Sequence, residues 1–342
     1  MHKTKINVQG EGMLTRRTML AGTVGAALTA TARGANATDT YASQTVRILV
    51  GYAAGGGVDI VARLVGDPMK DALKQTVIVE NRPGASAMIA TNAVAKAAPD
   101  GYTLLMAASG EVAINHFLFK DKMPYDPAKE LTPVALIGIV PCVVVVSTAT
   151  PVHNPKELIA YAKANPGKLS FSSSGVGNPQ QLAGELMNSM AGIKVLHVPY
   201  RGSAPAVTDV AVGVVTMSFS SLAAALPLIQ AGKLRAVAVT SRERMPQLPD
   251  VPPLSEGAPG LKDYELLNWF GMFAPAGTPS DIVHRLNTIV NDTLEDKAVA
   301  DKLMVQGIVP KLMSPAEYKS FVVSETAKFG KIVQDAHITL KQ

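Results

Sequence analysis

Cysteine is almost absent: the 342 residues carry one, Cys142, so no disulfide can form within the chain. Its surroundings, V-P-C-V-V-V-V, read as a buried strand in which the thiol is a small core residue and not a nucleophile. Aromatic residues make up only 5% and charged residues 17%. That balance disfavours an aromatic-rich sandwich and suits layered α/β packing built from Ala, Val and Leu. Long apolar runs are missing too, since no stretch offers the roughly 18 uncharged apolar residues of a membrane span. Excess charge is small. Lys3, Lys5, Arg16, Arg17 and Arg33, against Glu11, fall in the first 37 residues, so of the formal net charge of +5 about +1 belongs to the rest. No basic footprint for nucleic acid remains. His116, His153, His197, His284 and His337 are scattered, without the short spacings that metals favour, so no metal is expected. No nucleophile elbow occurs, because Ser172 to Gly175 is not G-x-S-x-G.

What is present begins with an export signal. From Met13 the chain reads M-L-T-R-R-T-M-L-A-G-T-V-G-A-A-L-T-A-T-A-R-G-A-N-A: a basic start, a short weakly apolar centre and an A-x-A ending at Ala35 to Ala37. Arg16 and Arg17 fit the twin-arginine route, with general secretion as the alternative. Residues 1–37 are expected to be removed, leaving a periplasmic protein long enough for two domains.

Next comes a strand-loop-helix unit, R-I-L-V-G-Y-A-A-G-G-G-V-D-I-V-A-R-L from Arg47 to Leu64. Amides at the start of a helix lack partners within it, and the helix dipole leaves partial positive charge there, so a carboxylate or phosphate can dock on backbone alone. Gly55, Gly56 and Gly57 are consecutive, which fits neither G-x-G-x-x-G nor a P-loop, so no nucleotide cofactor is expected. Such a turn can also carry glycine for purely steric reasons.

Apolar runs alternate with helical patterns almost throughout, predicting mainly parallel sheets flanked by helices. The rhythm breaks where Val134–Ile139 and Cys142–Ser147 follow each other without room for a helix. It breaks again at Tyr264–Ala274. These read as two crossover strands joining an inserted unit, 142–268, to a discontinuous one, 45–141 and 269–342. Ligands of open α/β sheets sit where strands end and helices begin. The loops that qualify are Tyr52–Asp59, the stretch from Ala107 through Ser109 to Glu111, Phe171–Leu182, the turn at Tyr200 and Arg201, and the strand end at Ser220 and Ser221. Asp59 heads its helix and reads as a cap more readily than as a general base.

Several strings have a family look: G-G-G-V-D-I-V-A-R-L from Gly55, V-I-V-E-N-R-P-G-A from Val77, A-A-P-D-G-Y-T-L-L-M from Ala97, L-A-G-E-L-M-N-S-M-A-G-I-K-V-L-H-V-P-Y-R-G-S-A-P-A-V-T-D-V from Leu182, G-K-L-R-A-V-A-V-T-S from Gly232 and L-P-D-V-P-P-L-S-E from Leu248. Together they resemble the Bug family, the periplasmic solute receptors of tripartite tricarboxylate transporters, in order across residues 45–340. The resemblance implies a two-lobed periplasmic binding protein of the second type, without metal or cofactor. It would be a monomer that captures a small organic carboxylate and passes it to integral membrane subunits. Carried over by position, the first-lobe seat is Tyr52, Ala53, Ala54, Gly56, Gly57, Val58 and Asp59, with Ser109 in the neighbouring loop. The second-lobe seat is Ser173, Ser174, Gly175, Asn178, Pro179 and Gln180, flanked by Tyr200, Arg201 and Ser220.

This chain departs from the family pattern in ways that bear on the ligand. Where Pro-Pro-Gly-Gly-Ser-Thr-Asp is common it has Ala53 to Asp59 without hydroxyls, and Gly177-Asn178-Pro179-Gln180-Gln181 replaces Gly-Ser-Thr-Ser-His. Ser220 and Thr216 stand where Asp is usual. Two readings of other classes stay open at this point: a ligand-loaded sensor acting on a membrane signalling partner, and an exported α/β enzyme.

Overall fold

The computed structural model describes residues 41–339; the proposed export signal, 1–37, lies outside the described residues. The first sheet contains β1 (Val46–Val50), β2 (Val77–Asn81), β3 (Thr103–Ala108), β4 (Leu131–Pro141), β10 (Leu267–Pro275) and β11 (Val309–Pro310), in the order β11-β4-β10-β3-β1-β2. The second sheet contains β5 (Val143–Ser147), β6 (Ser170–Ser173), β7 (Leu196–Pro199), β8 (Met217–Ser220) and β9 (Leu234–Val239), in the order β7-β6-β8-β5-β9. Each sheet belongs to one lobe of an α/β fold.

Both sheets are mixed. Strands β1, β2 and β3 pair in parallel, as do β6, β7 and β8. The expected parallel character gives way at β4, β5 and β10, whose pairings are antiparallel. A chain that leaves one lobe and later returns must run both ways through the same layer. Strand β4 ends one residue before β5, with Cys142 alone between them, and β10 comes back beside β4 in antiparallel register, Trp269 opposite Ile139.

The helices show why these segments fold as they do. Helix α1 (Gly57–Leu73) buries Val58, Val61, Ala62, Val65, Met69 and Leu73 on one side, the stripe of a helix lying on a sheet. Helix α2 (Met88–Ala95) cannot begin earlier, because Ala85, Ser86 and Ala87 take left-handed φ values of 45°, 56° and 66°. The close approach of Ala87 explains Gly51, where a Cβ would collide with the Ala87 methyl. Helix α3 (Pro155–Ala164) is capped by Asn154, whose Oδ1 accepts from the Glu157 amide at 3.0 Å. Helices α4 (Pro179–Ala191), α5 (Ser203–Ala211) and α6 (Leu222–Gln230) cover the second sheet. The carboxyl-terminal part supplies α7 (Ser280–Glu295), α8 (Lys297–Val305) and α9 (Pro315–Asp335), the last opened by a capping box of Ser314 and Glu317. Among the described residues no helix is long and apolar enough to cross a membrane.

Candidate ligand-binding site

Four helix starts meet at one place. Those of α1 and, from the other lobe, α4, α5 and α6 surround a small cavity of about 20 Å³ between the lobes. The first lobe lines it with Tyr52, Gly56, Gly57, Val58 and Ala108, and the second with Ser174, Asn178, Pro179, Gln180, Ser203 and Ser221. Asn268 and Phe270 of the crossing strand β10 complete the wall. The lobes touch here, with the Ala53 amide donating to the Arg201 carbonyl at 3.3 Å.

The starts differ in how their amides are satisfied. Asn178 caps α4 by accepting from the Gln181 amide at 2.9 Å. No side chain caps α1, α5 or α6. At α6 the Ser221 hydroxyl is buried and has no partner, although it borders the cavity. Buried hydroxyls are nearly always bonded, so an unpaired one bordering a cavity marks a place where a guest would complete the network. Asn268 is similar. Its Oδ1 accepts from Ser109 Oγ at 3.0 Å, the Ser109 amide at 3.4 Å and the Trp269 amide at 2.8 Å, so what it can offer a guest is its Nδ2 hydrogens. No charged side chain lines the cavity. The wall is rich in donors but neutral, an environment in which a carboxylate can be held by dipoles alone.

Other residues of the two seats hold their loops in shape. Asp59 is buried, and its carboxylate accepts from the Gly55 amide at 2.9 Å, from Arg63 at 2.9 Å and from Asn81 Nδ2 at 3.0 Å. Burial pushes its pKa up, but those bonds outweigh burial and hold it below the usual carboxylate range. Ala54 is exposed, away from the cavity. In the second lobe, Gln180 Oε1 accepts from the Ser174 amide at 2.7 Å and Gln181 Oε1 from the Gly177 amide at 2.7 Å, so two amides of that seat already have internal acceptors. Ser173 Oγ donates to the Gly175 carbonyl at 2.7 Å and therefore accepts from His197 Nε2, also at 2.7 Å. Ser109 is turned to Asn268, and Ser220 Oγ donates to the Ser221 carbonyl at 3.2 Å, leaving its neighbour on the cavity wall.

Gly175, Tyr200 and Arg201 border a second, wider space of about 480 Å³. Tyr52 and Ser174 border both spaces, so the two adjoin. Tyr200 Oη donates to Asp209 at 2.6 Å, which fixes its ring at the rim.

Behind the first-lobe wall stands Glu111, fully buried on a π-helical turn, Gly110–Ile114. Its carboxylate accepts from Tyr52 Oη at 2.6 Å and from the Ala108 amide at 2.9 Å. Burial pushes its pKa up to about 7 even though those donors pull it down. Among the described residues no group of three His, Cys, Asp or Glu side chains could hold a metal ion.

A family model described as tripartite tricarboxylate transporter family receptor matches residues 61–338. The chain belongs to that receptor family. A family member from the tcbD–tcbE intergenic region of Pseudomonas sp. (strain P51) is 37% identical over 96% of each chain. BugT of Bordetella pertussis is 34% identical over 89% of this receptor and 92% of its own length. Rpa4515 of R. palustris, solved with adipate, superposes with a TM-score of 0.84 at 36% identity, covering 87% of this chain and 99% of the other. MatC of Rhodopseudomonas palustris, solved with bound malate, gives 0.79 at 31%, covering 85% and 99%. The receptor thus has the two-lobed fold of periplasmic binding proteins and is a member of a solute-binding family.

Proposed function

We propose that this receptor captures a small organic carboxylate between its lobes, without transforming it, and delivers it to membrane subunits of a tripartite transporter. The observation that carries the reading is the convergence of uncapped helix starts and the unpartnered Ser221 hydroxyl on one neutral cavity shared by both lobes. The deep space, about one water in size, would widen to take one carboxylate group, and the remainder of the acid would extend into the wider space past Tyr52 and Ser174. The adipate of Rpa4515 and the malate of MatC make dicarboxylates the first class to try. Strands β4 and β10 form the hinge in this reading, with lobe 1 as 45–141 and 269–342 and lobe 2 as 142–268. The first lobe docks the anion on α1, and closure brings Ser221 and the α5 start onto the other side. Only the closed form uses both lobes, so the ligand selects it.

A thermal-shift screen of the exported form with adipate, malate, citrate, glutamate and benzoate tests this. At 100 times its dissociation constant a true ligand stabilises by about 2.7 kcal/mol, a rise of about 5 °C for a protein of this size. No shift with any carboxylate, or turnover of a bound one, overturns the reading.

A further inference from the structure

Tyr52 and Ala108 are cavity wall on one side and hydrogen-bond donors to Glu111 on the other. An anion in the cavity would therefore have Tyr52 and Ala108 between it and a second carboxyl group. Among the described residues no cation pairs with that group. The side chains facing it are the phenols of Tyr52, Tyr125 and Tyr318, from the end of β1, the segment before the short helix Pro127–Glu130, and α9. Tyr125 Oη also donates to the Glu111 carbonyl at 2.7 Å. Of the other charged groups on elements packed against the turn, Lys129 pairs with Asp126, Glu130 with Lys96, Glu317 with Ser314, Lys328 with Glu325 and Lys331 with Asp335, and Lys319 is exposed. Burial pushes the pKa of His116, in the next helical turn, below its ordinary value. Two like charges across a desolvated wall repel strongly, so either the anion is excluded or the carboxyl takes a proton.

We propose that Glu111 is a proton-linked positioning residue: carboxylate capture in the cavity is coupled to uptake of one proton by its side chain. In its neutral form Glu111 still accepts from Tyr52 and Ala108 and keeps the wall in shape, while the field opposing the guest disappears. The free protein, with this pKa near 7, holds a mixture of both forms at neutrality. The bound anion raises the pKa further, so binding takes up protons where the free group is ionised. Affinity is then greatest at and below about pH 6 and falls as pH rises toward 9. This inference rests on the receptor reading above.

The test is calorimetry with adipate and malate at pH 6, 7, 8 and 9, where both probes stay ionised. The expected result is at least about tenfold weaker binding at pH 9 than at pH 6. At pH 8, titrations in two buffers of different ionisation enthalpy should report uptake approaching one proton per ligand. Glu111→Gln should bind as the native protein does at pH 6, and its affinity should be flat with pH. The proton count needs only the native protein, so it decides the matter if the variant folds poorly. A carboxylate bound with pH-independent affinity and no proton uptake overturns the coupling and leaves the receptor reading standing. No binding of either probe at any pH, with no hit from the carboxylate screen, overturns both.

Discussion

Gly57 is the position where one added atom should separate folding from closure. A Cβ there would lie 3.1 Å from Phe270 Cζ and 3.2 Å from Ser221 Oγ, contacts on the crossing strand and the opposite lobe. The backbone of the first lobe allows the change, since Gly57 has no left-handed φ and occupies the first turn of α1, where leucine is the better helix former, and within that lobe the Phe270 ring must give by a few tenths of an ångström. The remaining carbons of a leucine have nowhere to go in a cavity of about 20 Å³, so the side chain must fill the seat or hold the lobes apart. Either outcome removes the second-lobe bonds to the ligand. Two charge-assisted bonds at about 1.5 to 3 kcal/mol each come to about 3 to 6 kcal/mol. That is a dissociation constant weaker by about 10² to 10⁴. Calorimetry with whichever acid the thermal screen selects reads this directly, and the unliganded melting temperature should stay within about 2 °C of the parent. Gly57→Ala, whose neighbours need move only a few tenths of an ångström, should fall between the two. Undiminished affinity in Gly57→Leu would refute the placement of the ligand against α1.

Ser221→Ala should uncouple stability from binding in the opposite way to an ordinary core mutation. Its hydroxyl bonds nothing in the unliganded protein, so melting should be unchanged or rise by up to about 1 kcal/mol equivalent, while ligand affinity falls about 10- to 100-fold. For His197, burial pushes the imidazole down to about 4. The unfolded chain therefore takes up this proton first, and stability is full above about pH 6.5 and lost as pH falls toward 4. Chemical denaturation should show a loss on the order of 2 kcal/mol over that window, reduced in His197→Gln. Burial pushes the Cys142 thiol up to about 12, so a disulfide reagent should label nothing at pH 8 in the native protein and one thiol after unfolding; labelling of the folded protein would contradict the packing around β5.

The parts of the fold that could be read from residues are those where local and tertiary preferences agree. Val46–Val50 followed by three glycines and an apolar stripe at helical spacing could form little else, and Asn154-Pro155 or Ser314-Pro315 with Glu317 declare helix starts by their own hydrogen bonds. The site was only half visible, for identifiable reasons. At the end of β8 the choice between Ser220 and Ser221 turns on where the strand stops, and a shift of one residue moves a side chain to the other face. Asn268 hides in an apolar strand because its role comes from Ser109, far away in the chain. Glu111 reads in the sequence as part of a loop after β3 that could face the cleft. The π-helical turn that buries it has no hydrophobic period of its own, and its partner Tyr52 is supplied by the neighbouring strand end.

The two lobes do not contribute to binding in the same way. In the second lobe the amides of Ser174 and Gly177 are already occupied by Gln180 and Gln181 oxygens, so a carboxylate gains there only the difference between a charge-assisted bond and the neutral one it displaces. In the first lobe no side chain competes at the start of α1, because Asp59 bends back to the Gly55 amide and leaves the Gly57 end open. In the proposed binding mode the full charge-assisted gain is available on that side, so an incoming anion would dock there first. The internal acceptors of the second lobe keep its loop ordered before the guest arrives, which lowers the entropy lost on closing. What the second lobe then adds is concentrated in groups that nothing inside the protein satisfies, the Ser221 hydroxyl and the uncapped start of α5. Discrimination between acids of different shape should therefore reside near Ser203 and Ser221, where a guest that fails to reach them leaves a buried donor unpaired.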